Sequence, residues 1–158
     1  MEPRRPSRPG RPQPSLRSRA LAMLARREHT RAELARKLAP FSESDGDVAA
    51  VLDDLAARKL LSDERYAEAR VTALSRKFGA ARIEHELRAK GVSAPTAERA
   101  VRGARETEVD RARAAWQKRF GSPPADALEK AKQMRFLQSR GFSFDVIRKV
   151  VGGRGADE

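Results

Sequence analysis

The apolar residues of this chain recur with the period of an α-helix. Three stretches show the pattern over two or more turns, with apolar side chains three or four positions apart on one face: Val48–Leu55, Ala67–Phe78 and Val109–Phe120. Shorter stripes run through Ile83–Leu87 and Ile147–Val151. No segment alternates apolar and polar residues for long enough to form a strand. The pattern predicts an all-α protein.

Residues typical of helix ends divide the chain between these stripes. Thr30–Glu33 reads as a capping box, and Ser62 before two acidic residues is a helix start. Ser122–Pro123 predicts another start, with proline in the first turn. Gly91 and Gly141 stand where helices should end in the left-handed conformation. Together these signals predict about nine short helices.

An internal repeat groups the helices in threes. Its anchors are Leu38, Leu87 and Leu137, which lie 49 and 50 residues apart. Apolar residues also coincide ten, thirteen and fourteen positions after each anchor: Val48, Ala97 and Ile147; Val51, Ala100 and Val150; Leu52, Val101 and Val151. Units this small bury little surface alone, so we expect three tandem three-helix repeats stacked in an elongated, curved array. The alternative is one irregular nine-helix bundle.

The repeat sets the expected domain boundaries. We expect a disordered tail rich in Arg and Pro over 1–16, repeats at 17–62, 63–106 and 107–152, and a short C-terminal tail at 153–158. Five of the nine prolines lie in the first fifteen residues, where nothing could bury a core. The tail could serve as a basic arm or be dispensable.

Composition points to a polyanionic partner. The chain has 34 Lys and Arg against 22 Asp and Glu, a net charge of +12, and 26 of the 34 cations are Arg. Guanidinium groups bind phosphates in a planar, bidentate fashion, so nucleic acid or a nucleoprotein is favoured. The alternative is that the charge serves only solubility. With no Cys and no apolar run of the roughly 20 residues that span a bilayer, we expect a cytoplasmic protein with no membrane partner.

Catalysis finds little support in the residues. His29 and His85 are the only histidines, and their charged surroundings predict solvated surface positions. The sequence has no Gly-rich phosphate loop, no nucleophile motif and no metal-ligand spacing. We therefore expect no enzyme, no cofactor and no metal; a catalytic protein is the weakest of three hypotheses.

Seven cations are the candidate contacts with a partner, because they crowd the second and third repeats and could form a basic strip along stacked modules. They are Arg70, Lys77, Arg82, Lys90, Lys132, Arg135 and Arg140. Any one of them could instead be ordinary solvated surface. Aromatic side chains such as Phe136 and Trp116 could stack on bases, although Trp116 lies on an apolar stripe and is expected in the core.

Four stretches resemble the RecX family, bacterial regulators of the RecA recombinase. They are Ala20–Leu34 (ALAMLARREHTRAEL), Leu60–Ala67 (LLSDERYA), Ile83–Gly91 (IEHELRAKG) and Arg135–Ile147 (RFLQSRGFSFDVI), and the resemblance covers about residues 18–152. Two positions depart from the family pattern: Lys59 stands where Gly is expected, and Tyr66 stands where Phe is common.

The resemblance implies tandem three-helix repeats and a monomeric regulator that binds in the groove of the RecA–single-stranded DNA filament. Such a protein blocks filament extension or promotes disassembly, lowers strand exchange, ATP hydrolysis and co-protease activity, and binds DNA itself weakly and without sequence preference. The alternative from another class is a stand-alone DNA-binding protein whose modules act like helix-turn-helix motifs, with each third helix reading bases.

Overall fold

Nine α-helices and no strand make up residues 10–152, the part of the chain that this computed structural model describes. The helices are α1 (Leu16–Arg26), α2 (Arg31–Leu38), α3 (Asp45–Ala57), α4 (Asp63–Leu74), α5 (Ala80–Ala89), α6 (Ala94–Glu106), α7 (Glu108–Arg119), α8 (Ala127–Ser139) and α9 (Phe144–Val151), with a 3₁₀ turn at Ala39–Phe41. The all-α prediction is confirmed. Residues 1–9 and 153–158, which belong to the predicted tails, lie outside the described residues. Helix α1 starts at Leu16, the last residue assigned to the N-terminal tail.

Most helix ends form through the residues that the sequence indicated. The Thr30 hydroxyl accepts a hydrogen bond from the Glu33 amide at 3.0 Å, and the Glu33 carboxylate accepts one from the Thr30 amide at 3.3 Å. The Ser62 hydroxyl caps α4 by accepting a hydrogen bond from the Arg65 amide at 3.2 Å. Gly91 and Gly141 have φ angles of +92° and +82°, the left-handed values expected of them.

Lys59 adopts the conformation that explains why Gly is expected there. Its φ of +59° lies in the left-handed region, directly after the end of α3. A side chain with a Cβ atom costs about 1 kcal/mol in this conformation relative to glycine. Burial of Leu61 in the core of the first repeat, two residues later, offsets the cost of this turn conformation.

The predicted helix start at Ser122–Pro123 is wrong. Helix α8 begins at Ala127, where the Asp126 carboxylate accepts a hydrogen bond from the Glu129 amide at 2.8 Å. Pro123 is followed by a second proline, which disfavours the helical conformation at the residue before it. The Ser122 carbonyl is held instead by the side-chain amide of Gln133, at 3.2 Å.

Each three-helix unit has its own apolar core. The first contains Leu34, Leu38 and Leu52, and the second contains Ile83, Leu87 and Val101. The third contains the following residues: Ala112, Leu137, Phe142, Val146, Ile147 and Val151. All three anchors are at most 1% exposed. Three separate cores are the arrangement expected of tandem repeats, and they are inconsistent with one common bundle core.

An equivalent hydrogen bond joins repeat 1 to repeat 2 and repeat 2 to repeat 3. At the first junction the Arg31 amide donates to the Asp63 carboxylate at 2.9 Å. At the second, the Ala80 amide donates to the Glu108 carboxylate, also at 2.9 Å. In each case an acid in the first turn of one repeat satisfies an amide at the N-terminus of a helix in the preceding repeat. Asp63, expected to begin a helix, therefore also joins two repeats.

His29 lies beside the first junction and is only 3% exposed, so its assignment to the solvated surface is wrong, whereas His85 is exposed as expected. The His29 Nδ1 lies 3.0 Å from the Arg27 carbonyl, and Lys37 Nζ lies 3.1 Å from Nε2. Because the Lys37 ammonium can only donate, Nε2 accepts and the proton sits on Nδ1. Burial lowers the pKa of His29, and the charges of Arg27 and Lys37 lower it further.

This arrangement predicts that acid weakens the fold through His29. The unfolded chain binds a proton on this side chain near its ordinary pKa of about 6.5, whereas the folded chain does so only at lower pH. The contribution to the free energy of unfolding is therefore complete above that value and is lost as the pH falls below it. Thermal unfolding at pH 7.5 and 5.5 should show a smaller acid-induced decrease in Tm for His29→Gln than for the wild type. The control His85→Gln should behave like the wild type; equal decreases in all three proteins would contradict the prediction.

Candidate nucleoprotein interface

The seven predicted contact cations fall into two groups in the structure. Arg70 and Lys90 line a cleft between repeats 1 and 2, where the Arg70 guanidinium pairs with Glu86 at 2.8 Å. The other five lie on elements that meet where repeat 3 packs against repeat 2, namely the turn after α4, the start of α5, and α8. They are Lys77, Arg82, Lys132, Arg135 and Arg140. The structure therefore concentrates most of the predicted contacts around one junction.

Arg82 connects the two repeats at this junction. Its guanidinium carbon lies 4.0 Å from the centroid of the Phe78 ring, four residues earlier, and Nη1 donates to the Ser139 carbonyl at 2.7 Å. Gly141 makes this approach possible, because a Cβ atom there would lie 2.2 Å from the Arg82 Cβ. The amide of Gly79 also donates to the Arg140 carbonyl at 2.9 Å.

A second set of guanidinium groups surrounds Phe136. The Arg140 guanidinium carbon lies 4.9 Å from the centroid of this ring, and that of Arg119 lies 5.8 Å from it. The Phe120 ring meets Phe136 edge to face, with centroids 5.4 Å apart and planes at 88°. We call the set of Phe78, Arg82, Arg119, Phe120, Phe136 and Arg140 the junction patch. A ring held against a guanidinium restricts its motion and leaves its N–H groups free to bind an anion.

Further cations extend this patch along α8. Lys132 and Arg135 are exposed and precede Phe136 and Arg140 at spacings that put all four on one helix face. Lys77 is exposed on the turn beside Phe78. Within residues 10–152, none of Lys77, Lys132, Arg135, Arg119 and Arg140 has an ion-pair partner. These cations are therefore available to an external anion.

Arg111 holds the turn that carries this patch. Its Nη1 donates to the carbonyls of Ser75 and Phe78, both at 2.6 Å, and its Nη2 donates to the Ala104 carbonyl. Burial lowers the pKa of Arg111, although a guanidinium remains protonated at physiological pH. By ordering the Ser75–Phe78 turn, Arg111 fixes the Phe78 ring on which Arg82 stacks.

Three members of the junction patch were missed by sequence reasoning: Phe78, Arg119 and Phe120. Phe78 was placed on the apolar helical stripe Ala67–Phe78, but α4 ends at Leu74, and the turn that follows brings Phe78 against Arg82 in the first turn of α5. Phe136 and Arg140, at the end of α8, do have the i,i+4 spacing at which helical side chains meet. Arg119 and Phe120 are adjacent at the end of α7, and nothing local indicates that they reach Phe136 on α8. Trp116, expected in the core, packs there and donates from Nε1 to Gln133 at 2.8 Å.

The chemistry of the junction patch is that of anion binding and aromatic stacking. Its guanidinium groups can bind phosphates, and the partly exposed faces of Phe78, Phe120 and Phe136 can contact bases. Among the residues that the structure describes, no group of three or more His, Cys, Asp or Glu side chains could hold a metal ion. No helix in the same part of the chain is long and apolar enough to cross a membrane.

Comparisons with known proteins agree with the repeat architecture. Models of the first, second and third three-helix domains of RecX match residues 17–55, 62–101 and 106–151. The chain is 55% identical over 141 residues to the regulatory protein RecX of Leptothrix cholodnii, covering 89% of this chain and 90% of the relative. It is 47% identical to the regulatory protein RecX of Chromobacterium violaceum, covering 91% and 93%.

A solved structure shows the same fold. The crystal structure of RecX from Lactobacillus salivarius superposes with a TM-score of 0.74, at 22% identity, over 87% of this chain and 93% of that one. The three consecutive domain matches, the identity to curated relatives and the three separate cores all lead to one conclusion. The chain belongs to the RecX family of regulatory proteins.

Proposed function

We propose that the protein binds the RecA–single-stranded DNA filament and inhibits its extension. In doing so it lowers the recombinase, ATPase and co-protease activities of RecA and modulates DNA repair and recombination. The observation that carries the proposal is the junction patch, in which two repeats of a RecX-type array bring guanidinium groups and aromatic rings together. We extend the proposal to a monomeric, non-catalytic protein working in the cytoplasm.

The repeat array supports binding through several weak contacts. The cations of the junction patch and of α8 can bind DNA phosphates, while other surfaces of the repeats contact RecA. Contacts on linked modules act as one multivalent ligand, so modest affinities combine into strong binding when the geometry allows simultaneous engagement. Free single-stranded DNA offers only some of these contacts, and the protein should bind it weakly and without sequence preference.

The charge of the third helices disfavours the stand-alone helix-turn-helix alternative. Helix α3, which would read bases in the first repeat, carries four aspartates and no Lys or Arg: Asp45, Asp47, Asp53 and Asp54. Such a helix is repelled by the phosphates that border a DNA groove. Among the third helices within residues 10–152, only α9 has a last turn whose charged residues are all basic, Arg148 and Lys149; the last turn of α6 holds both Arg105 and Glu106.

The proposal is tested by the rate of ATP hydrolysis by the cognate RecA on single-stranded DNA. The protein is titrated from far below one copy per RecA to an excess, with RecA added either before or after it. Blocked extension predicts inhibition well below one copy per RecA, strongest while filaments are still growing. Inhibition only at stoichiometric amounts would point to competition for DNA. No effect at excess and low salt would contradict the proposal and favour a DNA-binding protein of another kind.

A further inference from the structure

The cleft between repeats 1 and 2 is separate from the junction patch and has a different chemistry. Its lining includes Tyr66, Arg70, Lys90 and Glu86 from repeat 2, and Arg27 and Glu33 from the turn and helix of repeat 1 that face them. Two of the seven predicted contact residues, Arg70 and Lys90, line this cleft. The junction patch therefore does not account for them.

Tyr66 carries an unused hydrogen-bond donor into this cleft. The side chain is 4% exposed, yet its hydroxyl makes no hydrogen bond to any residue within 10–152. Burial raises the pKa of Tyr66, and the nearby Glu33 carboxylate raises it further. The phenol therefore keeps its proton at neutral pH and can donate it. The ring is buried, whereas the hydroxyl oxygen is accessible from the cleft and is open to an external acceptor.

At the second junction, the residue equivalent to Tyr66 donates its hydrogen bonds to acceptors within the protein itself. Asp63 and Ala67 on α4 correspond to Glu108 and Ala112 on α7: the two acids make equivalent junction bonds, and both alanines are fully buried. By this correspondence Tyr66 matches Arg111. The guanidinium of Arg111 donates to three carbonyl groups of its own chain. The donor at the first junction lacks any such acceptor.

The charges of the cleft leave one cation without a partner. Glu28 pairs with Arg65 at 2.9 Å, Glu33 with Arg27 at 2.9 Å, and Glu86 with Arg70 at 2.8 Å. Within the described residues the Lys90 ammonium group has no ion-pair or hydrogen-bond partner, whereas the backbone of Lys90 is engaged, its carbonyl accepting from the Thr30 hydroxyl at 2.6 Å. The cleft thus presents one ammonium group and one hydroxyl donor. A ligand that complements both has a single negative charge and an acceptor oxygen, as a carboxylate does.

A strand of nucleic acid fits this cleft poorly. Its backbone carries a charge about every 3.4 Å, so several phosphates would lie near Glu28, Glu33 and Glu86. One carboxylate on a side chain brings a single charge and can enter a recessed site alone. The acceptor is therefore expected on a protein.

We propose that this cleft receives an acidic side chain of the protein partner, whose carboxylate accepts hydrogen bonds from the Tyr66 hydroxyl and the Lys90 ammonium group. The inference rests on the proposed function and deepens it, since it assigns the first junction to RecA and the second to DNA. Because Phe is common at position 66 in the family, the hydroxyl contact belongs to this chain and its cognate partner.

The experiment compares the wild type with Tyr66→Phe and Lys90→Gln, using Arg88→Gln as a control that removes an exposed cation two residues from Lys90 on the same segment. Affinity is measured for the cognate RecA filament and, separately, for single-stranded DNA alone. We expect each test variant to bind the filament about tenfold more weakly, which is about 1.4 kcal/mol, and DNA as tightly as the wild type. The Tm of Tyr66→Phe should be unchanged, because the hydroxyl has no internal partner.

If the wild type binds the filament and Tyr66→Phe binds equally well, the cleft assignment is overturned while the proposed function stands. If the variants lose affinity for DNA alone to the same extent, the ligand is a phosphate and the carboxylate assignment is overturned. If the wild type itself does not bind the filament, the proposed function fails, and the cleft assignment fails with it.

Discussion

Replacing Arg119 and Arg140 together by glutamine is expected to weaken binding to single-stranded DNA and to the RecA filament by about 10- to 100-fold at low salt. Both guanidinium groups lie against Phe136 and have no ion-pair partner within residues 10–152. They are therefore ordered and free to bind phosphates, and each contact contributes roughly 0.7–1.4 kcal/mol. Losing two contacts with single-stranded DNA should also make the slope of log affinity against log salt shallower by about 1.4.

Fluorescence anisotropy with a labelled oligonucleotide, over a range of salt concentrations, measures both effects. The matched control is Arg102→Gln with Arg113→Gln, which removes the same charge from exposed positions on α6 and α7 away from the aromatic rings. This control should lose much less affinity. Equal losses in the two double variants would show that overall charge, and not the junction patch, determines binding.

Replacing Arg111 by methionine is expected to destabilise the protein by about 3 kcal/mol. Methionine keeps the apolar part of the side chain but leaves the carbonyls of Ser75, Phe78 and Ala104 without their donor. For a chain of this size that loss lowers the Tm by roughly 6–12 °C. Because the Ser75–Phe78 turn then loosens, filament inhibition should also weaken at temperatures where the variant is still folded.

Thermal unfolding followed by circular dichroism measures this change. Arg113→Met is the control, since Arg113 is exposed two residues away on the same helix and should change the stability by less than about 0.5 kcal/mol. Arg111→Lys should fall between the two, because an ammonium group keeps the charge but cannot reach three carbonyls in one plane. A Tm for Arg111→Met close to that of Arg113→Met would refute the role assigned to Arg111.

Most of the fold could be predicted from the sequence because its determinants are local. The capping box at Thr30 and the left-handed glycines at Gly91 and Gly141 form bonds within a few residues of themselves. Anchors spaced 49 and 50 residues apart are all buried, since each repeat builds the same small core. The failure at Ser122–Pro123 shows the limit: a loop bond to Gln133 and the second proline set the start of α8.

The candidate site was predicted only in part. Arg82 and Arg140 were chosen as contact candidates by charge, and in the structure each lies against the ring of a phenylalanine four residues earlier. Arg119 was missed because its approach to Phe136 depends on how α7 packs beside α8. Arg70 was expected to belong to the same basic strip as the other six cations, whereas the structure pairs it with Glu86 in the cleft between repeats 1 and 2.

The sequence by itself determined the helices, their caps, the three repeats and the sign of the surface charge, because these depend on neighbours along the chain and on periodic apolar positions. Only the tertiary structure decided which cations are neutralised and which stay free, because ion pairs such as Arg70–Glu86 join residues of different helices. The tertiary structure also determined that Arg111 donates hydrogen bonds to carbonyls within the protein, whereas the Tyr66 hydroxyl has no acceptor among the described residues. The physical reason is that hydrogen bonding and charge pairing depend on distances of a few ångströms between groups, which only the packing of the repeats determines.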